Sequence, residues 1–222
     1  MSTLQLRAAD GNEFPAYVAK PQGDTRPRGA IVVVHEAFGL TSHIRRVTEQ
    51  YAAQGYVAVA PDLFDRLEKG VDLAYDESGL AQGMAYIGQL DDTAVLADLN
   101  AAIDASLHVG RVGMVGFCWG GRETYLACCR TNIAAGVVYY GGGITGLLGD
   151  TPRCPVLFHF GEKDTYISAA DVAAIRKAYP QGRYQLYPAG HGFNCPDRSD
   201  FDAANAHLAF DRSIEFFREH VG

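Results

Sequence analysis

Short, continuously apolar runs rich in β-branched residues alternate along this chain with longer stretches whose apolar positions recur at the helical period. The first pattern marks strands buried on both faces, and the second marks helices packed by one face. Residues 4–8 and 14–20 flank the turn Ala9-Asp10-Gly11-Asn12, which predicts an antiparallel hairpin opening a sheet. A surface loop rich in Pro, Gly and charge (21–28) precedes a central strand at 30–34. Helical spacing over 43–54 leads to a strand at 56–60, stopped by Pro61-Asp62. Residues 62–90 are irregular and hold many glycines, which predicts a connection or cap over the sheet. From 91 to 106, Val95, Leu96, Leu99, Ala102 and Ile103 repeat at helical period behind an N-cap at Asp91 or Asp92. Strands are predicted again at 112–115, 134–140, 156–160 and 183–187, and helices at 124–129, 169–179 and 201–220. This alternation, with no internal repeat, predicts a single α/β domain over residues 1–222. Its sheet should be mostly parallel and doubly wound, with helices on both faces and active groups beyond the carboxyl ends of the strands.

One junction carries chemistry. The strand ending at Val115 runs into Gly116-Phe117-Cys118-Trp119-Gly120, a G-x-nucleophile-x-G elbow written with cysteine. Glycine two residues either side lets strand and helix approach the bend, and the following helix N-terminus favours a thiolate. A thiol needs a base, and the base needs an orienting acid. In this architecture the chain order is nucleophile, acid, histidine, and Cys118, Asp164 and His191 follow it, each in a short loop after a predicted strand. Glu162 is a competing acid, and His159, on an apolar strand, reads as a satisfied core histidine. Glu36, where the central strand ends, is either a surface turn residue or a carboxylate that hydrogen-bonds the thiol and takes its proton. The Ala37 and Trp119 backbone N–H groups are placed to form an oxyanion hole. Phe38, Tyr86 and Phe193 are candidates for the substrate pocket. A metal site from His35, His159, His191 and Cys195 lacks any ligand pair at the usual short spacing, so no metal is expected.

Composition narrows the partners. With 19 basic and 26 acidic residues and a net charge of −7, the chain has no basic cluster for nucleic acid or an anionic membrane surface. No signal-peptide pattern or membrane-length apolar run is visible. Five cysteines without a C-x-x-C pair argue against a disulfide framework and for a reducing, cytoplasmic setting.

Four separated motifs carry a resemblance over nearly the whole chain: His35-Glu36-Ala37-Phe38-Gly39-Leu40, Gly116-Phe117-Cys118-Trp119-Gly120-Gly121, Gly161-Glu162-Lys163-Asp164 and Gly190-His191-Gly192-Phe193. Together they resemble the dienelactone hydrolases (carboxymethylenebutenolidases) of the α/β-hydrolase superfamily. The resemblance implies a Cys118/His191/Asp164 triad, Glu36 as acceptor of the thiol proton, and hydrolysis of lactones or small carboxylic esters without metal or organic cofactor. One departure stands out. Chlorocatechol-pathway members hold the substrate carboxylate with two arginines, one from the helix before the nucleophile strand and one just past the catalytic histidine. Residues 71–110 contain no Arg or Lys, and the first Arg after His191 is Arg198, three positions late. A neutral ester or another lactone is therefore as reasonable a substrate as dienelactone, unless Arg198 bends back or Arg122 or Arg45 supplies the charge. The expectation is a cytoplasmic thiol hydrolase, monomeric or weakly dimeric. A non-catalytic small-ligand binder on the same fold is the alternative, and a peptidase or thioesterase on the same scaffold is a third reading.

Overall fold

The computed structural model describes residues 2–23 and 26–222; Met1 and positions 24 and 25 of the loop read at 21–28 lie outside them. Eight strands form one sheet: β1 (Ser2–Arg7), β2 (Glu13–Ala19), β3 (Ala30–Val34), β4 (Val57–Pro61), β5 (Val112–Phe117), β6 (Ala135–Tyr139), β7 (Val156–Gly161) and β8 (Arg183–Tyr187). Their order is β1-β2-β4-β3-β5-β6-β7-β8. The hairpin β1-β2 is antiparallel and β2 runs antiparallel to β4, while every pair from β4 through β8 is parallel. Every residue of β3, β4, β5, β6 and β7 is buried, as their unbroken apolar runs require.

Among the described residues six α-helices cover the sheet: α1 (Ser42–Ala53), α2 (Glu77–Ile87), α3 (Asp92–Ser106), α4 (Trp119–Arg130), α5 (Ala169–Ala178) and α6 (Ala203–His220). Thr41 caps α1 and Asp91 caps α3, each side chain accepting the N–H three residues on. The rings of Tyr51 on α1 and Phe217 on α6 meet at 5.8 Å, and Arg122 on α4 reaches Asp92 on α3 at 2.8 Å. None of the described helices is long and apolar enough to cross a membrane.

Two boundaries differ from expectation. The span read as an irregular cap contains helix α2, and α4 begins at Trp119, directly at the elbow, rather than at 124. From β3 the chain winds outward to β4, then returns to place β5 on β3's other side. Right-handed crossovers put the two connections on opposite faces, which makes the carboxyl ends of β3 and β5 the point where the winding of the sheet reverses. Glu36 follows the first of these strands and Cys118 the second.

Candidate active site

Cys118 occupies the bend between β5 and α4 at φ +53°, ψ −116°, a region L-residues enter only under strain. Its N–H donates to the Tyr139 carbonyl at 3.0 Å and its carbonyl accepts from Gly121 N–H at 3.0 Å. The two flanking glycines are dictated by contact. A Cβ at Gly116 would sit 1.9 Å from the Gly120 carbonyl oxygen, and one at Gly120 would sit 2.4 Å from the carbonyl oxygens of Val34 and His35. Of the five cysteines, all free thiols, Cys118 is the one that is not buried. Its side chain makes no capping bond to α4, so the sulfur is left at the positive end of that helix.

Asp164 and His191 arrive from the loops after β7 and β8. These loops are tied together by Glu162 N–H to Tyr187 O at 2.7 Å and Lys163 N–H to Ala189 O at 3.0 Å. His191 Nδ1–H donates to Asp164 Oδ2 at 2.8 Å, with both side chains buried. The other carboxylate oxygen of Asp164 accepts the Tyr166 and Ile167 N–H groups at 2.8 and 3.0 Å, which fixes its orientation. Burial opposes charge on His191, but the adjacent Cys118 sulfur and the Asp164 carboxylate outweigh it and raise its pKa to about 10. Glu162, the competing acid, is exposed.

Glu36 is not a surface turn residue; it is fully buried. Neither carboxylate oxygen has a hydrogen-bond partner among the described residues, so the expected bond to the Cys118 thiol is absent. Its nearest cation is Arg198, whose Nη1 lies 3.8 Å from Oε1. Arg198 does bend back: its side chain folds across Gly192, where a Cβ would come within 2.5 Å of Nε, and its guanidinium lies over the Phe38 ring at 5.7 Å. Arg122 instead pairs with Asp92 and Glu123, and Arg45 bonds the Leu40 carbonyl and covers Tyr17.

The Ala37 and Trp119 N–H groups donate to no acceptor among the described residues, which leaves them free for a ligand oxygen. Phe38 packs against Tyr75 in a tilted arrangement with ring centroids 4.4 Å apart. Tyr86 packs against Phe64, which in turn stacks on Trp119, and its hydroxyl donates to Glu68. Phe193, expected at the pocket, is wholly buried against Tyr139, Tyr140 and Tyr187, so it backs the His191 loop instead of facing a ligand.

His159, expected to be a core histidine, and His35, named only in the conceivable metal set, each have their own partners. His159 meets the Tyr187 and Ser213 hydroxyls at 2.8 and 3.0 Å, and burial drives its pKa down to about 3. His35 donates from Nδ1 to the Glu36 carbonyl and accepts Leu63 N–H at Nε2, with its pKa lowered to about 4 by burial. The metal set of His35, His159, His191 and Cys195 therefore does not converge. Sequence reasoning missed Tyr140, Tyr75 and His43. Tyr140 is buried with an unpartnered hydroxyl, holds φ +37° at the end of β6, and packs its ring 5.1 Å from that of His191. A tyrosine directly before Gly141-Gly142-Gly143 at a strand's carboxyl end is the signal that could have found it.

The sequence profile described as the dienelactone hydrolase family matches residues 14–221. A provisionally named carboxymethylenebutenolidase of Yersinia pestis is 34% identical over 232 residues, covering 96% of this chain and 86% of the relative. Carboxymethylenebutenolidase 1 of Cupriavidus pinatubonensis is 29% identical, covering 96% and 94%. Among solved structures, a provisionally named dienelactone hydrolase of Klebsiella pneumoniae superposes with a TM-score of 0.86 at 27% identity, covering 99% of this chain and all of the other. With the eight-stranded sheet, the elbow and the span of the match all in agreement, the chain belongs to the dienelactone hydrolase family of α/β-hydrolase-fold enzymes.

Proposed function

We propose that this hydrolase acts on small carboxylic esters or lactones through a cysteine acyl-enzyme. Cys118 Sγ attacks the carbonyl carbon, its proton already held on His191, and the C=O electrons move onto an oxygen held by the Ala37 and Trp119 N–H groups. Collapse expels the alkoxide, which takes the proton from His191 Nε2; a lactone opens, and an ester loses its alcohol. His191, kept in one tautomer by Asp164, then deprotonates water, which attacks the thioester and releases the acid with the thiol restored. The observation that carries this reading is the 2.8 Å His191–Asp164 bond beside a strained, accessible cysteine. The family resemblance gives Glu36 the thiol proton instead. Its pairing with Arg198 supports a role beside the sulfur, and a Glu36→Gln variant separates the two acceptors.

Arg198 also bears on the substrate. One guanidinium lies beside the carboxylate expected to serve the thiol, so an anionic ester or lactone retains a binding partner despite the bare 71–110 segment. Cys118→Ala should abolish hydrolysis of short p-nitrophenyl esters, and full retained activity would sink the acyl-enzyme. In a panel of charged and neutral lactones, Arg198→Met should raise KM for the charged members by about tenfold or more while sparing the neutral ones.

A further inference from the structure

Behind the proposed thiol site lies a second, wholly buried cluster. Glu36, His43 and Cys195 each offer one ligand atom, and the three atoms lie within 4.8 Å of one another. All three residues are buried, and both Glu36 oxygens and His43 Nε2 lack any hydrogen-bond partner among the described residues. The Arg198 guanidinium, 3.8 Å from Glu36 Oε1, offsets part of the carboxylate's charge, but no hydrogen bond satisfies either Glu36 oxygen or His43 Nε2, and buried polar atoms left so are expensive. A carboxylate oxygen, an imidazole nitrogen and a thiolate sulfur are the donor set of a borderline-soft divalent ion, and a tetrahedral zinc ion would need them about 3.5 Å apart. From 4.8 Å apart, each group would have to draw in by up to about 0.7 Å to meet the bond lengths of zinc. An approach exists too: a groove of about 330 Å³, lined by His43, Arg46, Asn194 and Pro196, opens beside the cluster.

We propose that Glu36, His43 and Cys195 form a site for one divalent ion of the zinc class, and that its occupancy withdraws Glu36 from the thiol site and inhibits the enzyme. Binding forms bonds from the metal to Glu36 O, His43 N and Cys195 S, and the Cys195 thiol proton leaves to solvent. The Glu36 carboxylate and Cys195 thiolate then balance the ion's two positive charges, which requires Arg198 to give up its 3.8 Å pairing with Glu36, and water completes the fourth position. The binding half stands independently; the inhibition half rests on the alternative given under Proposed function, in which Glu36 rather than His191 takes the thiol proton.

The test uses cobalt chloride on Cys118→Ala protein, in which the reactive thiol cannot contribute. One equivalent should produce a thiolate-to-cobalt charge-transfer band, and X-ray absorption should show one sulfur in a shell otherwise of nitrogen and oxygen. Adding His43→Gln or Cys195→Ser should abolish the band in protein whose near-ultraviolet circular dichroism is unchanged. Should either addition fail to fold, the single-sulfur shell of the Cys118→Ala protein alone decides. No band in Cys118→Ala, or a band surviving in folded Cys195→Ser, overturns the site. In the unsubstituted enzyme, zinc chloride should remove ester hydrolysis in proportion to bound metal. Full activity at full occupancy would overturn the inhibition half and, with it, the assignment of Glu36 to the thiol, while leaving the metal site in place.

Discussion

His191 lies between the Cys118 sulfur and the Asp164 carboxylate, and these two partners set its titration against the burial that opposes it. A group whose folded pKa is raised from 6.5 to about 10 stabilises the fold fully below the unfolded value, and that contribution disappears as pH climbs through about 10. In Cys118→Ala one of the two raising partners is gone, so the His191 pKa followed by nitrogen NMR should fall. An unchanged value would mean the sulfur is not a neighbour in solution. Asp164→Asn keeps the shape but can turn its amide N–H toward Nδ1, which shifts the ring proton to Nε2, the wrong tautomer, and kcat for ester hydrolysis should drop about 10³–10⁴-fold. At this scale the proposed triad of Cys118, Asp164 and His191 was legible because each sits in a short loop at a strand end. Arg198 and Glu36 were not: one reaches the site only because the chain turns at Gly192, and the other is buried by neighbours far away in sequence.

Helix α2 shows where local pattern fails. Gly79 and Gly83 lie within it and Gly88 caps it, residues that lower helix propensity and gave residues 62–90 the look of a loop. Their reason is contact rather than local preference. A Cβ at Gly83 would come 1.7 Å from the Ala37 carbonyl oxygen, so the helix lies directly on the backbone whose N–H is proposed to hold the oxyanion. Gly83→Ala must push helix and loop apart. It should cost about 1–3 kcal/mol in denaturant unfolding and lower kcat more than it raises KM. A variant that unfolds earlier yet keeps its kcat would break the link between α2 and Ala37. The early start of α4 has the same origin: Trp119-Gly120-Gly121 is a poor helix opening by composition, and close packing under Val34 and Gly141 requires it.

Across the whole molecule, the strand alternation read from the sequence reproduces the sheet, because runs buried on both faces are hard to mistake for anything else. The electrostatic layout was hidden, since burial of a charge depends on what packs over it. Asp62 and Glu123 are both buried, and desolvation raises each pKa to about 7. For a carboxyl raised in this way the fold binds the proton more tightly than the unfolded chain, so stability falls as pH rises from about 4 to about 7. Asp62→Asn should remove part of that slope and gain about 2 kcal/mol at pH 8 relative to pH 4, read from paired urea curves. An identical slope in the variant would assign the trend elsewhere. Finally, sulfur chemistry on the folded protein has one address. With four thiols sealed inside, an oxidant or alkylating agent meets only Cys118, so each molecule should fail in a single step. Under the proposed thiol mechanism, loss of one titratable thiol and loss of turnover should run together, letting a colorimetric thiol count report how many working molecules a sample holds.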